Sequence, residues 1–142
     1  MRQALHHLYI PTKGQGLCDV TAAVCDWVES QAIQTGLLVI WCRHTSASLL
    51  VQANADPEVQ ADLEAFFTRL APEGRGLYRH EEEGLDNMPA HLRAALTQVQ
   101  VCVPVENGRP VFGEFQALYL FEHRGGDHTR DLVLHLSGEA KD

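Results

Sequence analysis

Eight histidines stand in a chain of 142 residues, and three of them keep company that can do chemistry. His44 lies in "RHTSAS" (43–48), between the apolar runs "GLLVIWC" and "LLVQAN". A plain turn there favours glycine, proline, asparagine or aspartate, and this stretch has none of them. Its histidine and hydroxyls either make structural hydrogen bonds or face a ligand. His80 and His91 bound a second stretch, "HEEEGLDNMPAH", which also offers Glu81, Glu82, Glu83, Asp86 and Asn87. Three protein ligands plus water are the usual layout of a catalytic zinc site. His44, His80 and His91 are candidate ligands by residue type. Their spacing, 36 and then 11 residues, matches no short local motif.

Each candidate has a plainer alternative. If residues 41–46 stay extended, alternation puts Cys42, His44 and Ser46 on one face and Trp41, Arg43 and Thr45 on the other. A thiol or hydroxyl beside an imidazole suggests a nucleophile, but no third group identifies itself to orient the base. A strand end whose hydroxyls satisfy backbone groups needs the same residues. His91 opens a helix, where the dipole favours the neutral, metal-binding imidazole and where a phosphate or carboxylate could be received. Asp86 and Asn87 serve equally as helix caps, and the three glutamates as solvated loop. His6 and His7 alternate in a strand, so one points outward. His123 and His128 flank a turn and face solvent, while His135 is a satisfied core or edge residue. "FGEFQALYLFEH" places Gln116 and Glu122 on one face, either holding a histidine from behind or lying at a wet sheet edge. Arg43, Arg93, Arg124 and Arg130 are the candidates for anion contact.

The elements that must position these groups follow from periodicity. "ALHHLYI" (4–10) reads as a strand. "DVTAAVCDWVESQAI" reads as a helix capped by Asp19, with Val20, Val24, Trp27 and Val28 at helical spacing. Gly36 ends the connection to the strand "LLVIWCR", and "SLLVQAN" is the next strand. The clearest helix starts at Asp56-Pro57, buries Val59, Leu63, Phe66, Phe67 and Leu70, and stops at Pro72 and Gly74. "EGRGLYRHEEEGLDNMP" is a long polar loop, of the length that tends to be functional or mobile. "AHLRAALTQ" is a short helix. Strands follow at "VQVCVPV", "VFGEFQALYLFEH" and "DLVLHLS", the first two joined by an Asn-Gly turn. Strands outnumber helices and hairpin-length turns join several of them, which predicts an α+β fold with a mainly antiparallel sheet and helices packed on it. The whole chain, 1–142, reads as one domain.

Bulk composition limits the partners. A net charge of −8, from 11 Lys plus Arg against 19 Asp plus Glu, argues against general nucleic-acid binding. No apolar run approaches the roughly 20 residues of a membrane span. Without a visible signal peptide, the expected location is the cytoplasm, with Cys18, Cys25, Cys42 and Cys102 reduced and mostly buried.

"HTSASLLVQANADPEVQADLEAFFTRLAP", "YRHEEEGLDNMPAHLRAAL" and "VPVENGRPVFGEFQALYLFEHR", in that order and spacing, resemble the YjbQ-like family over most of the chain. One departure is visible: Glu114-Phe115-Gln116 stands where the family usually has Thr-Trp-Gln. The resemblance implies an α+β fold with a small barrel-like sheet, a homotrimer, and a histidine-built site near the subunit boundary with a bound metal or anion. Its matching positions here are His44, Thr45, Ser46, Asn54, Asp56, His80, Asp86, Asn87, His91, Gln116, Glu122 and Arg130. Members are named as secondary thiamine-phosphate synthases, which join a pyrimidine-methyl pyrophosphate to a thiazole phosphate.

The combined expectation is a divalent metal, zinc by preference, on His44, His80 and His91. Asp86 and Glu122 would orient a ligand or act as base. Thr45, Ser46, Asn54, Asn87, Gln116 and Arg130 would contact a small phosphorylated ligand. A metal-dependent phosphoester hydrolase and a non-catalytic binding module for such a ligand are the alternatives.

Overall fold

The structure, a computed structural model, describes residues 1–140. Two antiparallel sheets curl around one core as a half-barrel. The larger is ordered β1-β8-β3-β5-β6: β1 is Arg2–Lys13, β3 Ile33–Cys42, β5 Gln100–Glu106, β6 Arg109–Pro110 and β8 Asp127–Ala140. The smaller is ordered β2-β7-β4: β2 is Gly16–Asp19, β4 Ala47–Ala53 and β7 Gln116–Glu122. Every pairing among the described residues is antiparallel. The helices are α1 (Thr21–Ser30), α2 (Pro57–Leu70) and α3 (Asn87–Leu96). This is the expected α+β, antiparallel, barrel-like arrangement.

Alternation explains which side is core. Leu132, Leu134 and Leu136 of β8 point inward with Leu38 and Ile40 of β3, onto Leu49, Leu118 and Leu120 of the second sheet and Val24 and Val28 of α1. Each such side chain contributes about 1.5–3 kcal/mol by leaving water. Among the described residues no helix covers the opposite face of the large sheet, where Leu5, Tyr9, Leu37 and Trp41 stay exposed.

Local chemistry sets the element ends. Asp56 accepts from the Glu58 N–H at 2.8 Å and Pro57 opens α2, as its sequence predicts. Asn107 and Gly108, with φ of 53° and 78°, make the β5–β6 hairpin turn. Other expectations need correction. Gly36 does not end a connection. It sits inside β3 opposite Gly138, where an added Cβ would run into the Ser137 carbonyl. Residues 111–115 are irregular rather than strand, because Gln116 folds back to accept the Gly113 N–H and starts β7. The α2 stripe is only partly covered: Phe67 is buried, but Phe66 and Leu70 face solvent. Of the cysteines, which are all free, only Cys42 is buried.

Candidate metal centre

The long polar loop and α3 bring two of the three expected histidines together, and with them a glutamate assigned above to solvated surface. One ligand atom each from His80, Glu83 and His91 lie within 4.8 Å of one another. His91 Nδ1 donates to the Thr45 carbonyl at 2.9 Å. That bond puts the ring proton on Nδ1 and leaves the Nε2 lone pair free, the tautomer a metal takes. His80 Nε2 lies 2.6 Å from Asn87 Oδ1 and 3.0 Å from Glu83 Oε2. The buried Asn87 thus commits its side chain to His80, not to capping α3. Asp86 makes no cap bond either. It accepts from Arg124 Nε at 3.2 Å and from the Gly125 N–H at 2.9 Å, while Arg124 also holds the Glu83 carbonyl at 2.9 Å. Burial alone would raise the Asp86 carboxyl, but Arg124 and Gly125 outweigh it and hold it below the usual range. Asp86 is placed to brace the loop that carries Glu83.

His44 is not in this group. Chain geometry breaks between Cys42 and Ala47, so the alternation expected for residues 41–46 does not persist. The His44 ring turns to β8, where Nε2 accepts the Asp131 N–H at 2.8 Å. Burial and the nearby Arg130 charge hold its imidazole neutral, with a lowered pKa. Two of the three expected histidines stand with a carboxylate, and His44 lies beside them: His44, Thr45 and His91 line one groove of about 350 Å³ together with Ala94, Ala95 and Val99. Cys42 is no nucleophile. Its Sγ–H points to the Ala47 carbonyl, and burial pushes the thiol up to about 11.

Glu122 and Arg130 also lie elsewhere. Glu122 is 1% exposed and takes a bidentate grip from Arg130, with Nη2 at 2.6 Å and Nε at 2.9 Å from Oε2. Thr12 donates to its other oxygen at 2.7 Å. Neither charge is free for a base or a phosphate. Arg130 Nη2 also holds the Ser46 carbonyl at 3.3 Å, so the pair anchors the segment whose Thr45 carbonyl orients His91. Asn54 and Gln116 sit together at the far end of the small sheet from Glu122, where Asn54 bonds the Glu114 carbonyl and Gln116 the Gly113 N–H.

Two features escaped the sequence. His123, expected at the surface, is fully buried. Its Nε2 is 2.8 Å from Ser48 Oγ and its ring packs on Phe121. Burial first, then the charges of Arg93 and Arg130, lower its pKa to about 3. Asp131 joins His7 and Arg43, at 3.0 and 2.9 Å, on the uncovered sheet face. Neither has a signal in local sequence. The turn residues after His123 suggested exposure, while directly after β7 its N–H donates to the Ser46 carbonyl at 3.3 Å and its ring lies inside.

A family model described as "UPF0047 protein YjbQ-like" matches residues 6–139. A UPF0047 protein of Synechocystis sp. is 45% identical over 138 residues, covering 97% of this chain and 94% of that one. The UPF0047 protein YjbQ of Escherichia coli O157:H7 is 35% identical, covering 93% and 96%. Among solved structures, a conserved hypothetical protein of Thermus thermophilus is 35% identical with a TM-score of 0.79, covering 91% of this chain and 97% of its own. A YjbQ/UPF0047 protein of Clostridium acetobutylicum is 27% identical with a TM-score of 0.85, covering 93% and 99%.

Proposed function

The chain belongs to the UPF0047 YjbQ-like family, and we propose that it is a divalent-metal enzyme of pyrophosphate or phosphate-ester chemistry, with His80, Glu83 and His91 as the metal ligands. The observation that carries this is the His91 Nδ1–Thr45 carbonyl bond, which leaves Nε2 unprotonated beside a second imidazole and a carboxylate. Two imidazoles and a carboxylate suit zinc and other first-row divalent ions.

His80, Glu83 and His91 would hold the ion, whose charge would offset that of a leaving pyrophosphate or lower the pKa of a water. The chain's own residues do the rest. Thr45 and Asn87 orient His91 and His80. Asp86, through Arg124, sets the loop that carries Glu83. Ala94, Ala95 and Val99 wall a groove of ligand size beside His91, which takes the organic part of a small phosphorylated substrate. The first transfer to test joins a pyrimidine-methyl pyrophosphate to a thiazole phosphate. Hydrolysis of a phosphoester is the second reading, favoured by the exposure of Glu83, which admits water.

The uncovered apolar face of the large sheet supports assembly as a homotrimer. A neighbouring copy would then be the means by which Asn54 and Gln116 reach a shared site. The free thiols support a reducing, cytoplasmic setting. The test is turnover of metal-loaded protein on the paired thiamine precursors and, separately, on simple phosphoesters. Coupling that disappears in His91→Ala supports the transferase; phosphate release without coupling supports the hydrolase. Undiminished turnover by metal-free protein contradicts both.

A further inference from the structure

The groove beside His91 does not stop at His44. A second hollow, of about 380 Å³, is lined by Trp41, Cys42, Arg43, His44, Thr45 and Val99. It shares His44, Thr45 and Val99 with the groove that holds His91. One trough therefore runs from the end of β3 to the metal ligands, with Thr45 at the junction and its carbonyl on His91. Trp41 and Thr45 are four residues apart, so their Cα atoms lie at most about 14 Å from each other. One small organic molecule can span that distance.

The chemistry changes along the trough. At one end stand His80, Glu83 and His91. In the middle Ala94, Ala95 and Val99 are apolar, and His44 has its Nε2 taken by the Asp131 N–H at 2.8 Å. At the far end Arg43 Nη1 is already paired with Asp131 Oδ2 at 2.9 Å. Among the described residues this leaves the far end without an unpaired charge for an anion. What it does offer is the Trp41 indole, which is 46% exposed and stacks on no ring among the described residues. The chain's other tryptophan, Trp27, stacks on His6 with centroids 5.3 Å apart. Ligand grooves are commonly built this way, from apolar and aromatic walls with a few polar groups at one point.

We propose that Trp41 determines specificity at the His80, Glu83 and His91 site: the substrate carries an aromatic or heteroaromatic ring that stacks on the indole while its phosphate end lies at the metal ligands. This rests on the metal-site reading above. An aliphatic phosphoester would fill the trough by buried area alone. A flat ring gains, in addition, the stacking that an indole provides.

The test is equilibrium binding, by calorimetry, of 3-phenylpropyl phosphate and 3-cyclohexylpropyl phosphate to the intact protein, metal-loaded and metal-free. The probes match in length and charge, and the cyclohexyl ring is at least as apolar, so a preference for phenyl reports stacking rather than area. The expected preference is about fivefold, reduced in Trp41→Phe and lost in Trp41→Leu. Metal content of the same samples separates the two failures. A Trp41-dependent phenyl preference without bound metal upholds the ring site and contradicts the metal reading; bound metal with equal affinities overturns the ring site alone. If Trp41→Leu does not fold, the native chain and Trp41→Phe still decide. A phenyl preference that Trp41→Leu keeps would overturn the proposal, as would no binding of either probe. So would a Trp41→Leu protein of lower association state in sedimentation, with both probes binding the native chain alike, which would assign the indole to contact with a second copy.

Discussion

Two polar clusters in this chain draw on the same residue types, and only one is open for chemistry. In the interior, Glu122, Arg130, Thr12, Ser48 and His123 are sealed from solvent and mostly paired with one another. At the rim, His80, Glu83 and His91 converge on a common point while their outer partners, Thr45 and Asn87, orient them. The difference lies in where the remaining lone pairs go. The interior cluster holds the 43–46 segment; the rim cluster uses the carbonyl that this segment presents.

Four perturbations sharpen that contrast. The largest effect is expected for Glu122→Ala, which leaves Arg130 buried and uncompensated and should cost about 3–5 kcal/mol in denaturant unfolding. A loss under about 1 kcal/mol would mean that the pair is not structural. Acid comes next. His123 is neutral when folded, with its pKa lowered to about 3, but protonates near 6.5 when unfolded. The folded state then binds fewer protons, so stability is full above about 6.5 and falls with acidification at about 1.4 kcal/mol per pH unit down to the folded value. His123→Gln should flatten that slope in a pH series of unfolding curves. Asp86→Asn, at a half-buried pair, should cost about 1 kcal/mol. Because its folded pKa is depressed, the contribution is present above about 4 and disappears as pH falls through the lowered value, which the same series reads. Smallest in stability is His91→Ala, expected within about 0.5 kcal/mol of the parent, yet with its metal affinity lost. A large destabilisation there would move His91 to the structural side.

The same contrast explains what the sequence could reveal. The α2 start is legible because Asp56-Pro57 is local chemistry, and the hairpin because Asn107-Gly108 is. His80 and His91 are legible as a pair because a loop and the helix it leads into keep them close in sequence. Glu83 is hidden within a run of three glutamates, where nothing local separates a converging carboxylate from its two neighbours. The surroundings of His44 and His123 are hidden from the sequence for a common reason. Their partners, Asp131 and Ser48, lie 87 and 75 residues away, and only sheet register brings them together. Gly36 looks like a turn until its neighbour across the sheet is known to be Gly138.

The most direct test is the metal content of the purified, metal-reloaded protein beside His91→Ala and His44→Ala. About one divalent ion per chain, lost in His91→Ala and kept in His44→Ala, is the predicted result, following from the proposed His80, Glu83 and His91 ligand set. Equal loss in His44→Ala with the fold intact, or no metal in the parent after reloading, would contradict it.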